Sequence, residues 1–363
     1  MNGNLNTLAA KFQIEGSLAA VSPIGSGHIH DSYRVSTLPQ ETPDYLLQRI
    51  NHKIFTNIED LTGNILKVTS HLQHKLGFYT GQPFQVIRLI PATGGGWWFN
   101  DPDGNYWRMY EYIAGSHCYD RLENPDLAFQ AGFAFGNFQA LTADMDSRSL
   151  VEILPDFHHI GKRLRMFREA VAHDRVRRAG RVEQEIRFVE ARADKMHRVI
   201  RLIASGQIPV RVTHNDTKCN NVLFDSHDRA IAVIDLDTVM PGTVLNDFGD
   251  AIRTGASTAA EDEADTARIG IDLGLFQAYA EGYLNAAKEF LIQEEIRTLA
   301  FSARLMTYTI GLRFLTDYLD GDRYYKIADP DHNLQRARAQ FKLLQSIEKQ
   351  AAKMDAIIRK AAG

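Results

Sequence analysis

A change in hydrophobic pattern near Gly115 constrains the fold more than any other feature of the sequence. Before this glycine, short apolar runs alternate with turn residues such as those at 101–104, a pattern that predicts β-strands. After it, apolar residues recur at the spacing of an α-helix. A strand-rich segment followed by a helix-rich segment predicts an α+β chain with two lobes, which we place at residues 1–111 and 112–363.

The first lobe is predicted to be a small antiparallel sheet with one helix packed on it. That helix is expected from residue 58, because apolar residues from Leu61 onward, at offsets of 4, 7 and 11, fall on one helical face. The second lobe is predicted to be mainly helical and to end in a charged helix at 335–360. The expected strands are 18–23, 31–35, 44–50, 84–90, 97–100 and 106–113 in the first lobe, and 210–213, 222–224 and 230–234 in the second.

Length and charge limit the kind of partner. The 363 residues suffice for two lobes with a cleft between them. A formal net charge of −4, with both signs mixed along the chain, argues against nucleic acid and against an acidic membrane surface. The N-terminus does not resemble a signal peptide, and apolar runs stay well short of roughly 18 residues. We therefore expect a soluble cytoplasmic protein with a small-molecule substrate, either a monomer or a homodimer.

The cysteines and the paired histidines do not form a recognisable metal or disulfide pattern. Cys118 and Cys219 are too few and too scattered for a disulfide framework. His158 and His159 lack partners at the spacing that zinc sites use. A zinc-dependent hydrolase is therefore not expected, and the cysteine usage fits a reducing compartment.

Segment 214–221 has the pattern His-x-Asp-x-x-x-x-Asn, which is the spacing of the catalytic loop in kinases. Phosphoryl transfer from ATP needs a group that accepts the proton of the attacking hydroxyl, and Asp216 is the candidate. Asn221, five residues later, is a candidate ligand for Mg²⁺. Lys218 has the position of the loop lysine in protein kinases.

Asp235 follows a second short apolar run and supplies a further oxygen ligand for Mg²⁺. The plainer alternative is that 214–221 forms a polar turn in which short side chains bond their own backbone. The order and the interval of the two segments, between a strand-rich lobe and a helical lobe, favour a kinase site.

These residues resemble the aminoglycoside phosphotransferase and choline kinase family, which has a protein-kinase-like fold. The likeness spans most of the chain and is densest to family members that phosphorylate N-acetylhexosamines. It rests on Gly25-x-Gly27-His28-Ile29, Tyr45-x-Leu47-Gln48, Thr213-His214-Asn215-Asp216-Thr217-Lys218, Ile234-Asp235-Leu236-Asp237-Thr238, Met240-Pro241-Gly242, Asp247-Phe248-Gly249-Asp250, Gly255-Ala256-Ser257-Thr258 and Arg313-Phe314-Leu315.

The resemblance implies an ATP- and Mg²⁺-dependent kinase that phosphorylates the anomeric hydroxyl of an N-acetylhexosamine. Another small alcohol, such as an aminoglycoside, an amino alcohol or a different sugar, remains an alternative acceptor, and a nucleotide-binding pseudokinase remains an alternative function. The implied roles are Asp216 as catalytic base, Asn221 and Asp235 as metal ligands, the backbone of Glu111, Tyr112 and Ile113 as adenine hinge, and His28, Arg313 and Tyr324 as sugar contacts.

The phosphate-binding side departs from the usual kinase pattern. Residues 25–27, Gly25-Ser26-Gly27, are predicted to form a turn whose small residues would let backbone N–H groups approach phosphates, although such turns also occur in plain hairpins. Many kinases hold the phosphates with a strand lysine, and this chain has Gln48 at the equivalent position. Arg49, Lys53 and the glycine turn are the candidates to replace that lysine.

Overall fold

The computed structural model describes residues 2–25, 29–77 and 84–363. A six-stranded antiparallel sheet forms the first lobe, with the strand order β1-β2-β3-β6-β4 and with β5 also paired to β6. The strands are β1 (Ser17–Pro23), β2 (Asp31–Leu38), β3 (Tyr45–Ile50), β4 (Leu89–Ile90), β5 (Phe99–Asn100) and β6 (Tyr106–Glu111).

The two faces of this sheet serve different parts of the molecule. On β3, Leu47 belongs to a small core that β2, β6 and the first helix share. Ile50, on the opposite face of β3, joins the large core that extends into the helical lobe. Because side chains alternate along a strand, Gln48 shares the face of Ile50. Gln48 is therefore directed toward the second lobe.

Helix α2 (Ile58–Leu76) packs on the face that is directed toward the second lobe. Its N-cap is Asn57, whose side chain accepts the N–H of Asp60, and acidic residues follow in the first turn, where they suit the helix dipole. The apolar positions expected from the sequence, including Leu61 and Ile65, are buried. The predicted helix is confirmed.

The second lobe is mainly helical, as predicted. Helices α3 and α9 approach closely through glycines: a Cβ atom placed on Gly132 would lie 2.1 Å from the carbonyl oxygen of Tyr279. The helices are α1 (Asn2–Ala9) in the first lobe, α2, and then α3 (Pro125–Leu141), α4 (Ile160–His173), α5 (Glu183–Glu190), α6 (Ala193–Met196), α7 (Arg198–Ala204), α8 (Val244–Gly255), α9 (Leu273–Ala287), α10 (Gln293–Asp320) and α11 (His332–Ala362).

Two short antiparallel pairs lie among these helices. Strand β7 (Arg211–Thr213) pairs with β10 (Met240–Gly242), and β8 (Val222–Phe224) pairs with β9 (Ala230–Val233). The predicted short strands of the second lobe are therefore present. Their pairing places the loop after β7 beside the turn after β9.

The predicted strand at 84–90 is wrong over most of its length. Only Leu89–Ile90 pairs with the sheet, through β6. The N–H of Gln85 instead donates to the carbonyl of Ile231 at 2.6 Å. Through this bond the segment contacts the second lobe. Its apolar residues are therefore buried between the two lobes and not within a sheet. Among the described residues, no helix combines the length and apolar character that a membrane crossing requires.

Candidate active site

The loop between β7 and β8 brings three of the expected site residues together. Asn221 donates from Nδ2 to the backbone oxygen of Asp216 at 2.8 Å and to its Oδ2 at 3.3 Å. The Nζ atom of Lys218 lies 3.0 Å from Oδ1 of Asp216. The Asp216 carboxylate first, and then Asp250, raise the pKa of Lys218 against the opposing effect of burial. Lys218 is therefore a cation beside the Asp216 carboxylate.

Buried hydrogen bonds from a neighbouring helix fix the conformation of this loop. Asp247, in the first turn of α8, accepts the backbone N–H groups of His214 and Asn215 at 2.8 and 2.7 Å. Asn215 has a φ of 65°, in the left-handed region where asparagine is tolerated better than most residues. The sequence assigned no role to Asp247, although it lies in one of the motifs that carry the family resemblance.

His214 joins the loop to the segment that carries Asp235. Its Nε2 donates to the carbonyl of Ile234 at 2.8 Å, and its Nδ1 accepts the N–H of Asp216 at 3.3 Å. The N–H of Ile234 in turn donates to the carbonyl of Asn221 at 2.9 Å. These bonds hold Asp216, Asn221 and Asp235 in one assembly, as the sequence spacing predicted.

Asp235 begins a tight turn that follows strand β9. Its φ is 59°, and its side chain is exposed to solvent although many protein atoms surround it. This partial desolvation is the main cause that raises the pKa of Asp235, and the negative charges of Asp237 and Asp216 raise it further. A bound cation would relieve that repulsion.

The donors present fit Mg²⁺, which prefers oxygen ligands. Asn221 uses Nδ2 for its bonds to Asp216, so its Oδ1 is the atom suited to a cation. Asp235 supplies carboxylate oxygens in the same assembly.

Asp237, two residues after Asp235, is held by the first lobe. Arg108 donates from Nη1 and Nη2 to the two carboxylate oxygens at 2.5 and 2.9 Å, and His30 Nε2 lies 2.5 Å from Oδ2. Burial alone would raise the pKa of Asp237, but Arg108 and His30 outweigh it, so the pKa is lowered.

His30, Asp235 and Asp237 place possible ligand atoms within 4.8 Å of one another. Both oxygens of Asp237 nevertheless accept hydrogen bonds from Arg108 or His30. Asp235 is therefore the better cation ligand of the three. The sequence assigned no role to Arg108 or His30.

The residues considered for phosphate binding lie in different places. Gln48 lies in the cleft and bonds Ser32 and Arg108 through its amide. Arg49 is on the opposite face of β3, where it forms an exposed ion pair with Asp31. Gly25 has a φ of 83°, in the left-handed region that glycine adopts without strain. Ser26, Gly27 and His28 lie outside the described residues.

The predicted adenine hinge follows strand β6. The N–H of Glu111 donates to the carbonyl of Arg88, and the N–H of Tyr112 donates to the carbonyl of Asp44, both at 2.9 Å. These bonds leave the N–H of Ile113 as the donor suited to a nucleotide base. The adenine hinge stays a prediction, with Ile113 as its N–H donor.

Two of the three predicted acceptor residues are described: Arg313 lies in the last two turns of α10, and Tyr324 lies in the turn after it. The guanidinium of Arg313 stands 5.0 Å from the ring centre of Phe157 and 5.6 Å from that of Tyr324. Tyr324 is 62% exposed, and its hydroxyl is 3.5 Å from Nη2 of Arg313. Asp317 holds the turn by accepting the N–H of Tyr324 at 2.9 Å.

His158 connects this acceptor region to the catalytic loop. Its Nε2 donates to the carbonyl of Asn215 at 3.1 Å, while its buried Nδ1 has no partner among the described residues. Burial is the main cause that lowers the pKa of His158 to about 4, with Asp250 opposing and Arg313 reinforcing the shift. The ring is neutral, so Nδ1 is an acceptor suited to a hydroxyl group. The sequence excluded a metal site here and offered no signal for this role.

Comparisons with known proteins identify the family and the fold of this chain. The sequence model of the phosphotransferase enzyme family matches residues 20–288. A microcompartment-associated aminopropanol kinase is 15% identical, with coverage of 97% of this chain and 98% of that one and a TM-score of 0.67.

Two further solved structures share the fold. An aminoglycoside phosphotransferase from Alicyclobacillus acidocaldarius is 14% identical, covers 96% of both chains and has a TM-score of 0.62. An amicoumacin kinase, solved with AMP-PNP and Ca²⁺, is 15% identical, covers 94% of this chain and 92% of that one, and has a TM-score of 0.61. These likenesses confirm the predicted protein-kinase-like fold, with a sheet lobe and a helical lobe.

Proposed function

This chain belongs to the phosphotransferase enzyme family, and we propose that it transfers a phosphoryl group from ATP to a hydroxyl group of a small molecule. The observation that carries the proposal is the arrangement of Asn221 and Lys218 around Asp216, with Asp235 tied to the same loop through His214. A pseudokinase would be expected to lack part of this set, and here Asp216, Asn221 and Asp235 are all present.

In the proposed mechanism, Asp216 accepts the proton of the acceptor hydroxyl and orients its oxygen toward the phosphoryl group. Lys218 stands beside the carboxylate, where its charge stabilises the phosphoryl oxygens as negative charge is redistributed. Asn221 and Asp235 would hold Mg²⁺, which would supply positive charge to neutralise the phosphates. The N–H of Ile113 positions the nucleotide base.

The charges around the acceptor region favour an uncharged hydroxylated acceptor. Arg313 lies among aromatic rings there, and Arg163 acts electrostatically on both Arg313 and His158. Two arginines repel a protonated amine, whereas guanidinium groups donate well to hydroxyl and carbonyl oxygens. The neutral His158 adds an acceptor for a hydroxyl proton.

The finer proposal is that the acceptor is a sugar, phosphorylated at the anomeric hydroxyl of an N-acetylhexosamine. The alternative is an amino alcohol or an aminoglycoside, in keeping with the names of the aminopropanol kinase and the aminoglycoside phosphotransferase that share the fold. Asp250, close enough to act electrostatically on His158, is a negative charge that would suit an amine. The comparisons support the broad class of alcohol acceptors more strongly than the sugar.

An acceptor screen tests both levels of the proposal. ADP formation would be measured with N-acetylhexosamines, other sugars, amino alcohols and aminoglycosides, and the product position would be assigned by ³¹P NMR. Asp216→Asn should lower turnover about 10²-fold to 10⁴-fold while nucleotide affinity changes little. Asp146→Asn, an exposed carboxylate paired with Arg148, is the matched control. Full activity of Asp216→Asn would overturn the assignment, and activity confined to amines would overturn the sugar.

A further inference from the structure

Gln48 and Arg108 are direct partners across strands β3 and β6. Paired residues in an antiparallel sheet project to the same face, so both side chains point toward the second lobe. Kinases commonly carry a phosphate-binding lysine on the strand position that Gln48 occupies here. Arg108 therefore places a cation one strand away from the position where that lysine is expected.

The contacts of Arg108 orient it firmly. Its side chain is buried, with 1% of its surface exposed. Nε donates to Oε1 of Gln48 at 3.1 Å, and the two terminal nitrogens bind both oxygens of Asp237. The amide of Gln48 is in turn bonded to Ser32 at 3.0 Å. Gln48 thus serves as a neutral support for the arginine.

Asp237 connects this cation to the proposed metal ligand. It lies in the same short turn as Asp235, whereas Arg108 and His30 belong to the first lobe. The backbone N–H of Asn51 donates to Nδ1 of His30 at 3.0 Å, which leaves Nε2 of His30 to donate to Asp237. Two residues of the first lobe, Arg108 and His30, therefore bind the turn that contains Asp235.

We propose that Arg108 replaces the strand lysine as a positioning residue: it fixes the Asp235 turn through Asp237 and provides the buried positive charge behind the metal and the phosphates. This inference rests on the proposed function, because it assigns Asp235 to Mg²⁺. Arg49, which neighbours Gln48 in sequence, is excluded from this role because it faces away and pairs with Asp31.

Nucleotide binding tests the inference without any knowledge of the acceptor. The probe is AMP-PNP, titrated calorimetrically with Mg²⁺ and again with EDTA. Arg108→Gln should weaken binding of the Mg²⁺ complex about 10-fold to 100-fold and weaken metal-free binding less. Arg49→Gln likewise removes an arginine ion pair, but an exposed one on the neighbouring strand β3. It should change the affinity less than about twofold.

A rescue experiment separates a positioning role from a merely structural one. The double variant Gln48→Lys/Arg108→Gln returns a cation to the expected strand position and should recover the affinity to within about threefold of the native protein. If Arg108→Gln does not fold, the double variant and Arg108→Lys carry the test, because both keep a positive charge at this place and both should retain Mg²⁺-dependent binding.

The outcomes distinguish this inference from the proposed function. Unchanged binding by Arg108→Gln would overturn the inference. So would a double variant that folds but stays as weak as Arg108→Gln, or, where Arg108→Gln does not fold, folded double and Arg108→Lys variants without Mg²⁺-dependent binding. A native protein that binds no AMP-PNP would overturn the proposed function itself.

Discussion

The carboxylate of Asp247 accepts the backbone N–H of Asn215 at 2.7 Å, across 32 positions of sequence. The same carboxylate accepts the N–H of His214 and the side-chain amide of Gln139, both at 2.8 Å. All these groups are buried, and together they hold the loop of Asp216 against helix α8. The catalytic loop therefore depends on a residue that has no direct contact with the proposed chemistry.

Removal of this carboxylate should destabilise the protein. Asp247→Ala leaves three buried donors without their acceptor, so the free energy of unfolding should fall by about 3 kcal/mol. Urea denaturation followed by circular dichroism measures the change. Asp103→Ala, which removes an exposed carboxylate, should cost less than about 0.5 kcal/mol. Equal stabilities of the two variants would contradict the role of Asp247.

Asp235→Asn should change the metal requirement. The amide keeps an oxygen but loses the negative charge, so the Mg²⁺ concentration for half-maximal activity should rise at least about tenfold. Activity measured against free Mg²⁺ at saturating ATP gives this value. Asp144→Asn, an exposed residue paired with Lys75, serves as control. An unchanged Mg²⁺ requirement in Asp235→Asn would place the metal elsewhere.

Arg313→Met should act on the acceptor and not on ATP. The variant keeps an unbranched apolar side chain among the aromatic rings but loses the donors, so the KM of the acceptor should rise about tenfold or more while the KM of ATP stays constant. Tyr324→Phe removes a hydroxyl that is only weakly placed at 3.5 Å, and its effect should be smaller. A matching rise in the KM of ATP would argue against an acceptor role for Arg313.

His158 should make the protein sensitive to acid. Burial lowers its pKa from the ordinary value of 6.5 to about 4, so the unfolded chain binds a proton more readily than the folded protein. The stabilisation is complete above about pH 6.5 and is lost as the pH falls toward 4. Between these limits the free energy of unfolding of His158→Gln should fall by roughly 3 kcal/mol less than that of the native protein. Parallel pH profiles of the unfolding free energy in both proteins would refute this expectation.

Two glycine substitutions should have opposite effects on stability. A Cβ atom on Gly132 would collide with the backbone oxygen of Tyr279, so Gly132→Ala should force α3 and α9 apart at a cost of about 1–3 kcal/mol or more. Gly63, inside α2, has open space at the same position, and Gly63→Ala should stabilise the protein by about 0.5–1 kcal/mol. Thermal unfolding of both variants provides the comparison, and a stable Gly132→Ala protein would refute the close approach.

The sequence by itself determined the features that depend on local spacing. The alternation of β3 and the helical period of α2 are properties of continuous segments, and the structure confirms both elements. The interval between Asp216 and Asn221 lies within one loop, so the sequence was enough to predict their proximity. The short run before Asp235 likewise indicated a strand that ends at the site.

Only the tertiary structure decided which distant residues complete the site. Arg108 meets Asp237 across 129 positions because β6 pairs with β3 and the sheet packs over the second lobe. The contact of His158 with the catalytic loop likewise depends on the packing of separate segments. Hydrophobic period and turn chemistry specify each segment, but the register of strands and the fit of two lobes depend on the whole buried surface. The sequence therefore showed that Gln48 stands where many kinases have a phosphate-binding lysine. Only the fold showed that Arg108 lies beside Gln48.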